Sequence, residues 1–291
     1  MRKYLFFIIL GLLGISNIGN SSQRGSSAPY ISGDTFREYA DFVYDEVSKS
    51  LDPKKVKDGD VVFVKTDYLK YYFKSVHKKI KANYILVTHN SDDGVNAKFS
   101  HYIKDDKILA WFCQNLETSS HKKLHPIPIG IANKCWAHGN VDKIKSIESE
   151  MGKMSRNILL YMNFALNTNL KERKAVADLF KDTSFCVKAS PKEYSAYLTD
   201  LAQSKFVLSP RGNGLDCHRT WEALLMGAIP IVKSSTLDPM FKNMPVLIVN
   251  DWSEINEDFL NRSYEKMQNT SYDNEKIYFQ YWWKLIESYK N

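Results

Sequence analysis

From residue 30 onward, apolar runs of strand length alternate with segments of helical period. This rhythm belongs to parallel sheets covered by helices on both faces. In the first half the pattern predicts a helix over 35–49, a strand at 61–65, a helix near 68–79, strands at 84–89 and 108–113, and an extended stretch at 127–130. A charged helical stretch at 141–153 follows, and the pattern restarts with a strand at 158–164. The second half then reads as a helix from 170, a strand at 185–188, a helix over 192–203, a strand ending at 208, a short helix, and strands at 229–232 and 246–249. Helices over about 253–269 and 273–289 close the chain and are expected to pack back across both halves. The reading is α/β, with two Rossmann-like domains facing across a cleft: 30–152, 153–270, and a C-terminal helix at 271–291.

Residues 209–232, SPRGNGLDCHRTWEALLMGAIPIV, carry the most chemical information. An apolar strand breaks into a turn with Gly212 and Gly214, enters an amphipathic helix that stops at Gly227, and is followed at once by another strand. A strand, glycine turn and helix in this order present backbone N–H groups and a helix N-terminus to an anion. At 100° per residue, His218, Arg219 and Glu222 share one face of the helix, and Trp221, Leu224 and Leu225 point the other way. Arg219 sits in the first turn, where the helix dipole disfavours a cation, so an anion shared with the backbone donors is implied. Arg211, Asn213 and Asp216 can reach the same anion from the turn, and Glu222 is placed to accept hydrogen bonds from paired hydroxyls, as on a ribose. The plain alternative is an Arg219–Glu222 surface ion pair worth about 0.2–0.5 kcal/mol.

The run Arg219-Thr-Trp-Glu222-Ala223 and then Gly227-Ala-Ile-Pro230-Ile-Val, preceded by Ser204-Lys-Phe-Val-Leu-Ser-Pro210, resembles the sugar-nucleotide signature of exostosin-like glycosyltransferases over residues 200–235. It departs from that pattern at Ala228, where many members carry cysteine, and in the wording of the turn. The resemblance implies a GT-B type architecture and a nucleotide-sugar donor, with Arg219 on the donor diphosphate and Glu222 on the ribose. It also implies inversion at the anomeric centre. The turn is similar as well to that of protein O-glucosyltransferases, which couple glycines to an arginine.

In open α/β sheets ligands bind beyond the C-terminal strand ends. There the chain places His89, Asn90 and Asp92, then Asn115, then Asn163, with Arg173 opening the following helix. His89 and Asp92 are the candidate bases for an acceptor hydroxyl, His89 by its ordinary titration near neutrality. A capping histidine and a plain Asp92-Asp93-Gly94 turn are the alternatives. Asn90, Asn115 and Asn163 are candidate acceptor ligands, and Arg173 is either a second phosphate ligand or an exposed helix cation. The expected reaction moves a sugar to a hydroxyl of a glycan or glycoconjugate and requires no cofactor; a divalent metal, held at the acidic turn of Asp92 and Asp93, is the alternative and is not expected. An exported two-lobe binding protein for an anionic sugar or phosphate ligand is the competing class. It would use the same turn and would not need the polar cluster at residues 89–93.

Composition narrows the setting. With 44% hydrophobic and 13% aromatic residues the chain can bury real cores, which excludes wholesale disorder. The net charge of +7, from 40 basic and 33 acidic residues, drops to +4 without Arg2, Lys3 and Arg24. So small and dispersed a bias suits phosphorylated donors and excludes a nucleic-acid partner. Residues 1–28 read as a basic flank, an apolar run from Leu5 to Ile15 and a small polar stretch, a signal peptide or a short membrane anchor. That places the body in the secretory pathway or outside the cell, in the Golgi lumen for a eukaryotic chain, with the N-terminus as the one route to a membrane. Asn20, Asn261 and Asn269 stand in glycosylation triplets. Cys113, Cys135, Cys186 and Cys217 have no ligand spacing, so a zinc site is not expected; buried free thiols are expected, with a disulfide or two as the alternative for an exported body.

Overall fold

The computed structural model describes residues 24–118 and 121–290. The leader at 1–23, where a signal peptide or anchor is expected, lies outside the described residues, as does Asn20. No helix among the described residues is long and apolar enough to cross a membrane.

Two five-stranded sheets form, and every strand pair in them is parallel. Helix α1 (Gly33–Tyr39) leads into β1 (Phe42–Tyr44) and β2 (Val61–Lys65). After α2 (Leu69–Ser75) come β3 (Tyr84–His89), α3 (Ser100–Ile103), β4 (Ile108–Cys113) and β5 (Leu124–Pro126). Helix α4 (Val141–Met151) opens the second half, which runs β6 (Ile158–Met162), α5 (Leu170–Phe180), β7 (Cys186–Lys188), α6 (Tyr194–Ala202) and β8 (Ser204–Leu208). It ends with α7 (His218–Leu225), β9 (Ile229–Lys233), β10 (Leu247–Val249), α8 (Glu257–Gln268) and α9 (Phe279–Glu287).

Three boundaries differ from those expected. The helix over 35–49 stops at Tyr39, and Phe42-Val43-Tyr44 pairs with Val62–Val64 as an edge strand. A β-branched and aromatic triplet fits a pleated surface better than a helix, and Asp45 then bends the chain by accepting the N–H groups of Val47 and Ser48. The extended stretch at 127–130 is a loop, because Gly130 adopts φ +68°, and the pairing strand lies just before it. The folded body also begins before residue 28. Arg24 reaches Asp34 at 2.9 Å and pairs with Asp45 and Glu46, and the Ser27 N–H donates to Thr35 Oγ1 at 2.9 Å.

Strand order decides where a ligand belongs. The first sheet runs β1-β2-β3-β4-β5 in chain order, without a reversal. The second runs β10-β9-β8-β6-β7: the chain adds β7 on one side of β6 and β8 on the other. That reversal opens a crevice at the C-terminal ends of β6 and β8, the general ligand position of such sheets.

The halves are not separate cores. Buried residues of the first sheet form one cluster with Tyr161, Leu198, Val207, Trp221 and Val232 of the second half. The other face of the second sheet packs Leu160, Phe206 and Ile231 against α5 and α8. Of the two closing helices only α9 returns to the first half, where Phe279 meets Phe36 and Tyr39 and Trp283 meets Tyr39. Helix α8 stays on the second sheet through Leu260 and Tyr264.

Asp216 bolts the halves together. Its buried carboxylate accepts the Ile129 N–H from the first half, and the Cys217 N–H and Trp221 indole N–H from the second, all at 2.8 Å. Its own N–H donates to Asn115 Oδ1 at 2.9 Å, and His218 Nδ1 donates to the Gly130 carbonyl at 2.7 Å. Each buried donor left unpaired costs about 1–3 kcal/mol. Asp216→Ala is therefore expected to lower the unfolding free energy by about 3 kcal/mol or more in a urea titration; a loss under about 1 kcal/mol would show that the bolt carries no load.

Candidate functional site

The crevice is built from Asn163 and Phe164 after β6, the 209–217 loop after β8 and the first turn of α7. Three guanidinium groups converge on it. Arg173 and Arg219 lie over the Phe164 ring at 5.7 and 5.3 Å from its centroid. Arg219 Nε donates to the Asn163 carbonyl at 2.9 Å, while its buried Nη1 has no partner. Arg211 Nη2 donates to the Asn213 carbonyl at 3.2 Å, while its buried Nε has none. Among the described residues no carboxylate pairs with any of the three. Cys217, the N-cap of α7, gives the helix no side-chain hydrogen bond. A cavity of about 250 Å³ is lined by Arg211, Ser209, Thr220 and Ser234, and also by Glu172 and Asp216. A crevice with unpaired guanidinium N–H groups can hold an anion.

Several residues expected as ligands instead build the loop. Arg173 is buried and donates to the carbonyls of Arg211 at 2.9 Å, Ala165 at 2.8 Å and Pro210 at 3.4 Å, so it is neither a free phosphate ligand nor an exposed cation. Burial, and then the charge of Arg219, press its pKa down. Gly212 and Gly214 answer to close packing: a Cβ would stand 2.9 Å from Arg173 Nη2 at the first and 2.4 Å from Asn115 Nδ2 at the second. Asp216 is consumed by its three N–H donors, and burial raises it to about 6. Glu222 makes no ion pair with Arg219. Its two oxygens accept the hydroxyls of Tyr194 at 3.1 Å and Tyr197 at 2.9 Å, and its burial raises its pKa.

At the first sheet the same sorting occurs. His89 is 1% exposed; its Nε2 donates to the Pro128 carbonyl at 3.0 Å and its Nδ1 accepts the Asn90 N–H at 2.7 Å. Burial lowers it to about 4. With both nitrogens occupied and the lone pair a poor proton acceptor, it is a strut and not a base. Asn90, at φ 61°, ties Asp34 to Asn133, and Asn115, at φ 53° and fully buried, ties Asp216 to the Asp92 carbonyl. Asn115 is closed to an acceptor, and the half-buried Asn90 has both ends of its amide engaged. Asn163 donates to Tyr161 and gives its carbonyl to Arg219. Asp92 and Asp93 are both exposed, and it is Asp92 whose Oδ2 accepts from Asn213 Nδ2 at 3.0 Å across the two halves. His218 joins Asp92 there, lowered to about 4 chiefly by burial.

Phe164, Tyr194 and Tyr197 were missed by sequence reasoning; the i, i+3 spacing of the two tyrosines on a helix facing the second sheet was the available signal. Among the described residues no three His, Cys, Asp or Glu side chains gather as a metal site. The four cysteines are free, Cys113 and Cys217 buried, Cys186 half-buried and Cys135 exposed, so burial does not extend to all four.

Residues 155–289 match the family model described as the RXYLT1 C-terminal domain, a member of the exostosin-like glycosyltransferases. The match takes in the crevice and the whole 209–232 stretch. No curated protein matches the chain. Among solved structures, one titled "Crystal structure of GtfA/B complex" is similar at 13% identity and a TM-score of 0.36, over 81% of this chain and 58% of that one. The chain thus spans little more than half the length of that solved chain.

Burial of His89 and His218 has a measurable consequence. Both are held near 4 against about 6.5 unfolded, so the unfolded chain binds more protons and stability present above pH 6.5 is lost as pH falls toward 4. His77, His125 and His138 shift in the same direction, and Asp216, raised to about 6, opposes them. The melting temperature is expected to fall between pH 7 and 4.5, and less steeply in His89→Gln. Parallel slopes for the two proteins would rule out the buried neutral imidazole.

Proposed function

We propose that the protein transfers a sugar from a nucleotide-diphosphate donor to a hydroxyl of a glycan or glycoconjugate, by direct displacement across a GT-B type cleft. The observation that carries the reading is the set of three guanidinium groups without a carboxylate at the sheet's reversal point, two of them with buried N–H groups left over. The family match of the second half supports it.

In this reading the diphosphate lies against Arg219, Arg211 and the uncapped start of α7. Negative charge that grows as the glycosidic bond breaks meets donors already in place. The acceptor approaches from the first half. Its oxygen attacks the anomeric carbon, its proton passes to the free Oδ1 of Asp92, and the nucleoside diphosphate leaves from the opposite face, inverting the centre. Asn213 holds the other oxygen of Asp92 and so links the base to the donor loop. The guanidinium groups neutralise the leaving group, and a divalent metal is not called for. A secretory setting agrees with the family match and the apolar leader.

A thermal-shift screen of UDP, GDP, CMP and their sugars identifies the donor. Arg219→Ala is expected to weaken binding of the preferred nucleotide by roughly 10- to 100-fold, the value of one or two charge-assisted hydrogen bonds. Unchanged affinity would move the diphosphate elsewhere.

Asp92→Asn is expected to lower kcat by about 10²- to 10⁴-fold at constant nucleotide affinity. Full turnover in that variant would remove Asp92 as base. Activity abolished by a chelator and restored by manganese would overturn the metal-free scheme. Tight capture of free sugar without turnover on any donor would favour the binding-protein class.

A further inference from the structure

Trp136 has no packing reason to be where it is. The other five tryptophans are buried, while Trp136 is 57% exposed. Its backbone is nevertheless fixed. The Trp136 N–H donates to the Asn133 carbonyl and the Gly139 N–H to the Trp136 carbonyl, both at 2.9 Å. Asn133 is pinned in turn by Asn90, whose Oδ1 accepts from it at 2.9 Å, and by the Asp34 N–H at 2.8 Å. Gly139 closes the turn so tightly that a Cβ there would stand 2.1 Å from the Asn133 carbonyl oxygen. A rigid turn therefore holds a large aromatic ring out in water.

That ring borders an open cavity of about 560 Å³, the size of a small-ligand site. Asp142 and Lys145 line the same cavity, a carboxylate and an ammonium suited to the hydroxyls at a sugar's edge. The cavity also lies beside the crevice. The Trp136 and His138 rings are 6.2 Å apart and nearly parallel at 26°, and the His138 ring is 6.2 Å from that of His218 at the start of α7. Two ring-to-ring steps join the cavity to the proposed reaction centre.

We infer that this cavity is an acceptor subsite in which a sugar ring of the acceptor glycan stacks on Trp136, delivering the next unit of the chain past His138 to Asp92 and His218. The inference rests on the transferase reading. A pyranose presents axial C–H groups with partial positive charge, which the electron-rich face of an indole attracts, and a ring pre-held by its backbone loses little freedom on binding. Asn90 and Asn115 then act at one remove: they fix the turn and the donor loop, and the cavity takes the acceptor.

The test uses the full chain on a printed array of oligosaccharides, with and without the nucleotide found in the thermal-shift screen. Wild type is expected to retain a subset of glycans, Trp136→Ala to lose at least tenfold of that signal, and Trp136→Phe to fall between. The nucleotide-induced shift should be the same in all three. Equal retention by wild type and Trp136→Ala, or no glycan retained by wild type, overturns the subsite. If the nucleotide shift persists while the glycan arm fails, only this inference falls. If the nucleotide shift is itself absent, the donor reading fails first. Because the side chain is exposed, an unchanged melting temperature in Trp136→Ala separates loss of binding from loss of fold.

Discussion

A single buried carboxylate fixes the geometry on which the rest of the molecule depends. Asp216 sits where the 209–217 loop turns into α7 and accepts N–H groups from Ile129, Cys217 and Trp221. Burial opposes its charge, raising it to about 6, yet all three neighbours are donors and none can accept a proton from it. At neutral pH it is an anion held by its surroundings. Its position sets the start of α7, and so the place of Arg219. It also draws Ile129 and Gly130 of the first half against His218 of the second.

The basic side of the crevice is the counterpart of that arrangement. Arg173 is buried on carbonyl oxygens, an incomplete compensation for a cation taken out of water. A short distance away, Arg219 and Arg211 each keep a buried N–H without a partner. A structure assembled for stability alone would place a carboxylate here, and Glu222, one turn along the same helix, is close enough in sequence to serve. It turns instead to Tyr194 and Tyr197. The Glu222 carboxylate is thus taken up by two hydroxyls and forms no ion pair with Arg219.

How much of this was legible in the chain follows from what each signal measures. The runs at 61–65, 84–89 and 108–113 are apolar throughout and bounded by polar turns, and the strands occupy those same residues. Strand β1 was hidden because Phe42-Val43-Tyr44 lies inside a span whose charges keep a helical period, and only pairing with β2 decides it. At the site, residue types were legible and directions were not. His89, Asn90, Asn115 and Asp92 all follow strand ends and all look like ligands. Asn90 and Asn115 take left-handed backbone angles that aim their amides inward, and His89 is enclosed by Pro128. Only Asp92 faces out. Periodicity cannot foresee such a choice, because it depends on the turn and on the opposite half. Trp136 was invisible for a related reason: a lone tryptophan in a loop reads as core, and its exposure is a property of the turn that Gly139 closes.

The two sheets divide the work in a way their strand orders explain. The second sheet reverses between β6 and β8 and so owns a crevice, whereas the first runs in sequence order and offers only a row of strand ends. Those ends become a wall, their polar groups spent on one another, on the 131–140 turn and on Asp216. A continuous apolar cluster joins wall and crevice, and Asn213–Asp92 and Thr236 on the Leu116 carbonyl tie them further. Separating the halves would break the Asp216 bonds and expose that cluster, so the 209–217 loop and the Asp92 carboxylate meet as fixed parts. Charge stabilisation in a site of this kind comes from groups oriented during folding and not rearranged at the moment of reaction. The same rigidity shows in the polar residues near the crevice that act as struts: Arg173 holds the Arg211 carbonyl, and Asn115 ties Asp216 to the Asp92 carbonyl.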